Sequence, residues 1–205
     1  KQTANVIGAY AQSEWKSKKL NLLLGARLDK HNLLSSPVIA PRINILYKPL
    51  ESLQLRASYS SGYRAPQVYD EDLHVTQVGG ESVRTQLAKD LRPEYSHSAS
   101  LSADYYVQVN DNMQLNFLAE GFYTVLDDVF ALKTIRHDSI TQTTWQERYN
   151  ASGAVVKGIS LTAKMAYKDI LVLSAAYTLQ SSRYKETEYW SEDEDVAGTD
   201  KLMRS

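Results

Sequence analysis

The sequence predicts an all-β fold, an antiparallel meander of about eight long strands forming part of a transmembrane β-barrel wall. Three observations predict it. Apolar residues recur at every second position in separate stretches along the chain, as in strands with two unlike faces. The connections between those stretches alternate between short polar turns and long segments. Tyrosine outnumbers phenylalanine fourteen to three, and a ring with a polar tip suits a boundary between hydrocarbon and water.

The strands follow in order. Residues 2–15 open the pattern with two competing faces, Ile7, Ala9, Ala11 and Trp15 against Val6 and Tyr10. In 20–29, Leu20, Leu22, Leu24, Ala26 and Leu28 oppose Asn21, Leu23, Gly25, Arg27 and Asp29. The stretch 38–47 sets Ile39, Ile43, Ile45 and Tyr47 on one face with Pro41, a weak point because proline has no ladder donor. In 53–60, Leu53, Leu55, Ala57 and Tyr59 oppose Gln54, Arg56, Ser58 and Ser60. The odd positions stay apolar in 95–107 (Leu101, Tyr105), 113–125 (Leu115, Phe117), 159–167 (Ile159, Leu161) and 171–179 (Leu173, Tyr177).

Short turns fall at 16–19, 48–52, 110–112 and 168–169, and longer segments at 30–37, 63–93, 127–140 and from 185 onward. Every second connection is short, so the tight turns share one end of the sheet and the loops the other. None of the apolar faces carries a charge, whereas the opposite faces carry Arg27, Asp29, Arg42, Arg56, Asp104, Glu120 and Lys164. A basic side chain facing lipid costs about 2–4 kcal/mol at the bilayer midplane. Trp15, Tyr47, Tyr105 and Tyr167 lie near the short turns, and Tyr59, Tyr123 and Tyr177 lie about seven to ten residues above them, close to the roughly 9–11 residues of a membrane strand. One-sided alternation also suits a soluble β-sandwich binding module. Loop asymmetry and ring heights favour the barrel.

Other classes find little in the residues. The charges nearly balance, 23 basic against 24 acidic, which gives no footprint for nucleic acid. There is no cysteine, hence no disulfide framework and no thiolate zinc site. No apolar run is long enough for a transmembrane helix, and the opening "KQTANVIGAY" starts inside a strand pattern, so the chain reads as a piece of something longer. His31, His74, His97 and His137 have no metal-ligand spacing, no Gly-x-Ser-x-Gly elbow occurs, and "VGGES" is followed by no Gly-Lys-Ser/Thr. No catalytic residue, cofactor or metal site is expected. The acidic runs 70–72 and 192–195 suit Ca²⁺ or, more simply, solvated loops.

Four elements carry a resemblance. They are Gly25-x-Arg27-x-Asp29, the run Gly62-Tyr63-Arg64-Ala65-Pro66, the element Leu91-x-Pro93-Glu94, and Asn150, Gly153 and Ala154 followed by Gly158. In this order they resemble the barrel segment of TonB-dependent outer-membrane receptors, and "YRAPQVYDEDLHVTQVGG" is similar to receptors of the Bacteroidetes type. Ser160 departs from the acidic residue usual in that family. The resemblance implies a 22-stranded barrel plugged by an N-terminal domain, of which residues 1–205 supply a part without plug or TonB box. It implies an outer-membrane receptor, energised by the TonB complex through that plug, that imports a scarce nutrient. A ferric siderophore, a small-molecule metal chelate, leads the cargo classes, with haem, a corrinoid or a glycan oligomer as alternatives.

Site residues follow from the same elements. Tyr63 and Arg64 stand where the strand gives way to the loop, and an arginine at an outer mouth attracts an anionic chelate. The plainer reading is an arginine that pairs with an interior carboxylate and pins the loop base. His74 lies where haem receptors of the family place an axial ligand, although an ordinary loop histidine making hydrogen bonds is the plainer reading. The loops 63–93 and 185–205 are expected to help admit ligand. The lipid bilayer is the expected partner of the apolar face. Two open sheet edges and that face predict self-association of the isolated chain.

Overall fold

The structure is a computed structural model that describes residues 3–66, 82–139, 143–188 and 199–201. Eight long antiparallel strands form the main sheet: β1 (Val6–Lys16), β2 (Leu20–His31), β3 (Val38–Leu50), β4 (Leu53–Arg64), β6 (Glu94–Asn110), β7 (Met113–Asp127), β10 (Ala154–Tyr167) and β11 (Leu171–Glu188). A short β12 (Thr199–Lys201) continues it beyond β11, and the sheet is open, with β1 and β12 at its edges. Each stretch with period two has become a strand of this meander.

Registers place the apolar residues of neighbouring strands on one side. Leu24 pairs with Ile43, Ile43 with Tyr59, Tyr59 with Ala99, and Ala99 with Tyr123. The same ladder decides the open question in β1. Ala9 faces Leu28, Ala11 faces Ala26 and Trp15 faces Leu22, so these residues belong to the apolar side, and Tyr10 takes the polar side opposite Arg27. Pro41 has a visible effect. The ladder between β3 and β4 runs up to Arg42 and Ser60 and stops where proline's missing N–H would come next.

Among the described residues nothing packs on the apolar side: Leu101 is 64 % exposed and Tyr177 61 %. A wall one strand thick has no interior of its own. The few buried apolar side chains, Leu34, Val38, Ala65, Ala151 and Ala154, all sit at the long-loop end. Leu34, Val38 and Ala65 form a small core there, with Tyr63 and Tyr95 packed against it.

Two features differ from the sequence expectation. The strands outrun the 9–11 residues that a bilayer needs: β6 has 17 residues and β11 has 18. The long connections also hold a second sheet. β5 (Ser82–Leu87) pairs in parallel with β9 (Thr143–Asn150), which pairs antiparallel with β8 (Phe130–Asp138). A bulge between Thr134 and Arg136 shifts the parity of β8, and no apolar face runs through β9, so neither shows the alternation that marks the wall.

Candidate functional site

The rim at the loop end gathers the described candidates. On β2 the guanidinium of Arg27 reaches Asp29 at 2.7 Å, and Asp29 is only 3 % exposed. Gly8 faces Asp29 across the ladder, where a Cβ would collide with its carboxylate. Tyr63, at the top of β4, is hydrogen-bonded to the same carboxylate. It stands two side-chain repeats above the ring of Tyr59, beyond the membrane-spanning part of the strand. Burial, followed by the negative charge of Asp29 and the hydrogen bond to it, raises the Tyr63 phenol above its usual value.

Arg64 stands opposite Glu94 in the β4–β6 ladder, and its guanidinium lies 5.6 Å from the centre of the Phe130 ring. Arg148, 5 % exposed, lies 5.9 Å from the same ring. The Glu94 carboxylate accepts the Phe130 N–H at 3.0 Å. Both arginines present a planar cation to an aromatic ring, an attraction that strengthens as water is excluded. Phe130 begins β8, so these contacts fasten the second sheet to the wall.

The Leu-x-Pro-Glu element and the Asn150 element, far apart in sequence, meet here. The Asn150 side chain accepts the Arg92 N–H at 2.8 Å and donates to the carbonyls of Arg92 at 2.9 Å and Asp128 at 2.7 Å. The Arg92 guanidinium pairs with the Asp128 carboxylate at 2.7 Å, and Asp128 adopts a left-handed φ of 55°. Gly153 has a φ of 95°, and a Cβ there would lie 2.5 Å from the Leu126 carbonyl oxygen. Gly158 leaves room for the Phe122 ring, which would lie 2.6 Å from an added Cβ. Asn32 performs a similar task at the other side of the sheet. Its amide accepts from Asn5 N–H and donates to the Thr3 carbonyl, each at 2.8 Å.

His74 and the acidic runs 70–72 and 192–195 lie outside the described residues. Among the described residues no group of three His, Asp or Glu side chains is placed to hold a metal ion.

Below the rim, the polar side of the wall holds a groove of ≈ 660 Å³ bordered by Tyr10, Gln12, Arg27, Arg42, Asn44 and Ser60. Farther along, hydroxyls pair across the strands: Ser58 with Ser100 at 2.8 Å, Ser98 with Thr124 at 3.0 Å, and Ser160 with Thr178 at 2.9 Å. Asp104 accepts from the Tyr106 phenol at 3.0 Å and also from Asn116. This side offers hydrogen bonds and guanidinium charge to whatever rests against it, while the middle of the other side offers aliphatic and aromatic surface. No signal in the sequence marked Phe130, Arg148 or Asp128, because their importance comes from three loop bases meeting in space.

A family profile described as TonB dependent receptor-like, beta-barrel matches residues 1–204. The chain belongs to the TonB-dependent receptor β-barrel family. No curated protein matches it in sequence. Solved structures agree on the fold. One variant of the FrpB iron transporter from Neisseria meningitidis superimposes with a TM-score of 0.64 at 19% identity, covering 88% of this chain and 26% of the transporter. The siderophore receptor PirA from Pseudomonas aeruginosa gives 0.66 at 18% identity, over 87% of this chain and 34% of that one. A mutant of the ferric enterobactin receptor PfeA from the same species gives 0.63 at 20% identity, over 86% and 26%. The chain thus spans about a quarter to a third of these receptors' length. The TonB-dependent receptor wall lies in the outer membrane, with its bare apolar side toward lipid and its polar side toward the lumen.

Proposed function

We propose that this chain is part of the barrel of an active-transport receptor that imports a scarce nutrient, foremost a ferric siderophore, with energy supplied through TonB. In this reading residues 1–205 form one partial barrel domain. The plug that contacts TonB, and the strands completing a 22-stranded barrel, lie outside it. The observation that carries the reading is the two-sidedness of the wall: an exposed apolar side and, on the reverse, a polar side with a guanidinium-bordered groove. The iron and siderophore receptors among its structural neighbours support the choice of cargo.

Tyr63, Arg64 and His74 are the proposed ligand-side residues. Tyr63 and Arg64 also have structural partners at the rim, so their part is to hold the mouth in the shape that the ligand meets. Uptake of radioactive iron tests the reading. Cells lacking the full-length receptor are expected to lose uptake of one class of ferric siderophore, and a protonophore is expected to abolish it in cells that have the receptor. Unchanged iron uptake in the deletion strain, with loss of corrinoid or glycan uptake instead, would reject the siderophore and keep the transporter.

A further inference from the structure

Above the rim the strands change order. In the wall the neighbours run β6, β7, β10, whereas in the second sheet they run β5, β9, β8. β5 leads into β6, β8 continues β7, and β9 leads into β10. The extension of β10 therefore lies where that of β7 would be, beside the extension of β6. The two chains exchange places between the sheets.

The exchange falls at two left-handed residues. Asp128, with φ of 55°, stands between β7 and β8, and Gly153, with φ of 95°, between β9 and β10. Glycine enters this region freely, and aspartate does so more readily than most residues. The Ala151 N–H donates to the Val129 carbonyl at 2.8 Å, so the two chains stay bonded at this point. Ala151 and Ala154 are buried here, where only small side chains leave room.

Its effect is to zip two loops together. β5 belongs to the connection between β4 and β6, and β9 to the connection between β7 and β10. Their parallel ladder runs from Ser82 with Thr143 to Leu87 with Arg148. A parallel pair needs a long crossover, and here β6, β7 and β8 all lie between the partners in sequence. Side chains and backbone add to the ladder. The Arg84 guanidinium lies 5.3 Å from the centre of the Trp145 ring, the Gln86 amide donates to the Glu147 carboxylate at 3.4 Å, and the Ala88 N–H donates to the Arg148 carbonyl at 2.9 Å. Arg92 then joins Asn150 and Asp128. Among the described residues β5 has no ladder partner except β9. A strand of six residues has little stability without a neighbour.

We propose that residues 82–93 of one loop and the β8–β9 pair of the next form a single mechanical unit, in which β9 holds β5 in place. Coupling between docked elements acts equally in both directions, so loosening one loop loosens the other. Under the transport reading above, a cargo that touches either loop meets both. The unit itself does not depend on the cargo.

Hydrogen exchange of the full-length receptor in detergent, read by mass spectrometry of its peptides, tests this with no cargo present. T85P/Q86P removes two adjacent N–H groups from β5, because alternate residues of a strand point their N–H away from a given partner. Peptides over 143–150, in the other loop, are expected to exchange faster by about fivefold or more. Gln146→Pro, in the central strand, is expected to speed exchange over both 82–87 and 130–138 by a similar factor. β6 and β10 of the wall are expected to keep their protection, and heat-modified gel mobility checks that the barrel is folded. Two folded variants that each change exchange only within their own loop overturn the proposal. So does a wild type in which 82–87 exchanges as freely as unfolded chain while 143–150 is protected.

Discussion

The side-chain amide of Asn150 grips both backbone polar groups of Arg92, accepting from its N–H at 2.8 Å and donating to its C=O at 2.9 Å. One planar group thereby acts as a strand neighbour for a residue that has none, and Pro93, next in the chain, has no N–H to offer. The contact joins two of the elements on which the family resemblance rests.

Replacing Asn150 with alanine removes this grip and the bond to Asp128. The two bonds to Arg92 are exposed and the one to Asp128 is part-buried, so each contributes as an ordinary hydrogen bond, about 0.5–1.5 kcal/mol. The expected result is an intact wall with a loosened rim. Hydrogen exchange at the Arg92 amide should quicken by about tenfold or more, while amides of β6 and β7 below keep their protection.

Glycines on the wall should divide by their surroundings. Gly153→Ala forces a side chain into a left-handed φ of 95° and against the Leu126 carbonyl. Strain of that kind costs about 1–3 kcal/mol. Gly121→Ala meets no atom within 4 Å and should behave as wild type. Urea titration of the receptor folded into lipid vesicles separates the two.

Charge should be tolerated on one face and not on the other. Leu101→Arg places a cation on the lipid side, at a cost of about 2–4 kcal/mol near the midplane. Ser100→Arg, one residue away, faces the lumen and should lower folding into vesicles far less. Equal effects at the two positions would mean that the apolar side does not meet hydrocarbon.

Tyr63 gives the rim a sign in pH. Its phenol is raised above the usual 10.0, first by burial and then by Asp29. A raised folded-state value means that the neutral phenol is the form favoured by folding. Its contribution is therefore complete below the unfolded value near 10 and is lost as pH rises through the higher folded value. Spectrophotometric titration of the phenols should lose a late-ionising component in Tyr63→Phe. Proteolysis at the rim should increase above pH 10 in the wild type.

The chain expressed alone should associate. β1 and β12 present unpaired ladder groups, and the apolar side lacks lipid. Sedimentation in the absence of detergent is expected to give dimers or larger species, and a clean monomer would contradict this.

The wall was legible in the sequence because lipid imposes one rule on every strand that crosses it. Leu20 to Leu28, Met113 to Val125 and Leu171 to Leu179 each repeat that rule. β1 was ambiguous because Val6 and Tyr10 compete with Ile7, Ala9 and Ala11, and only the pairing of Trp15 with Leu22 and of Ala9 with Leu28 decides between them. The second sheet was illegible for the converse reason. β9 carries Trp145, Glu147 and Tyr149 on one side and Gln146 and Arg148 on the other, so neither side is uniformly apolar. The motifs at the rim could be read as motifs, but their meeting could not, since Arg92 and Asn150 are 58 residues apart.

The serine and threonine pairs on the lumenal side have a further consequence. Hydroxyls that satisfy one another, as in Ser58 with Ser100 and Ser160 with Thr178, make a wettable surface between charged neighbours, with Glu120 in register with both Ser102 and Ser160. Hydroxyls already occupied with one another hold a neighbour weakly, so the stronger grip on whatever rests against this side falls to the charged side chains set among them.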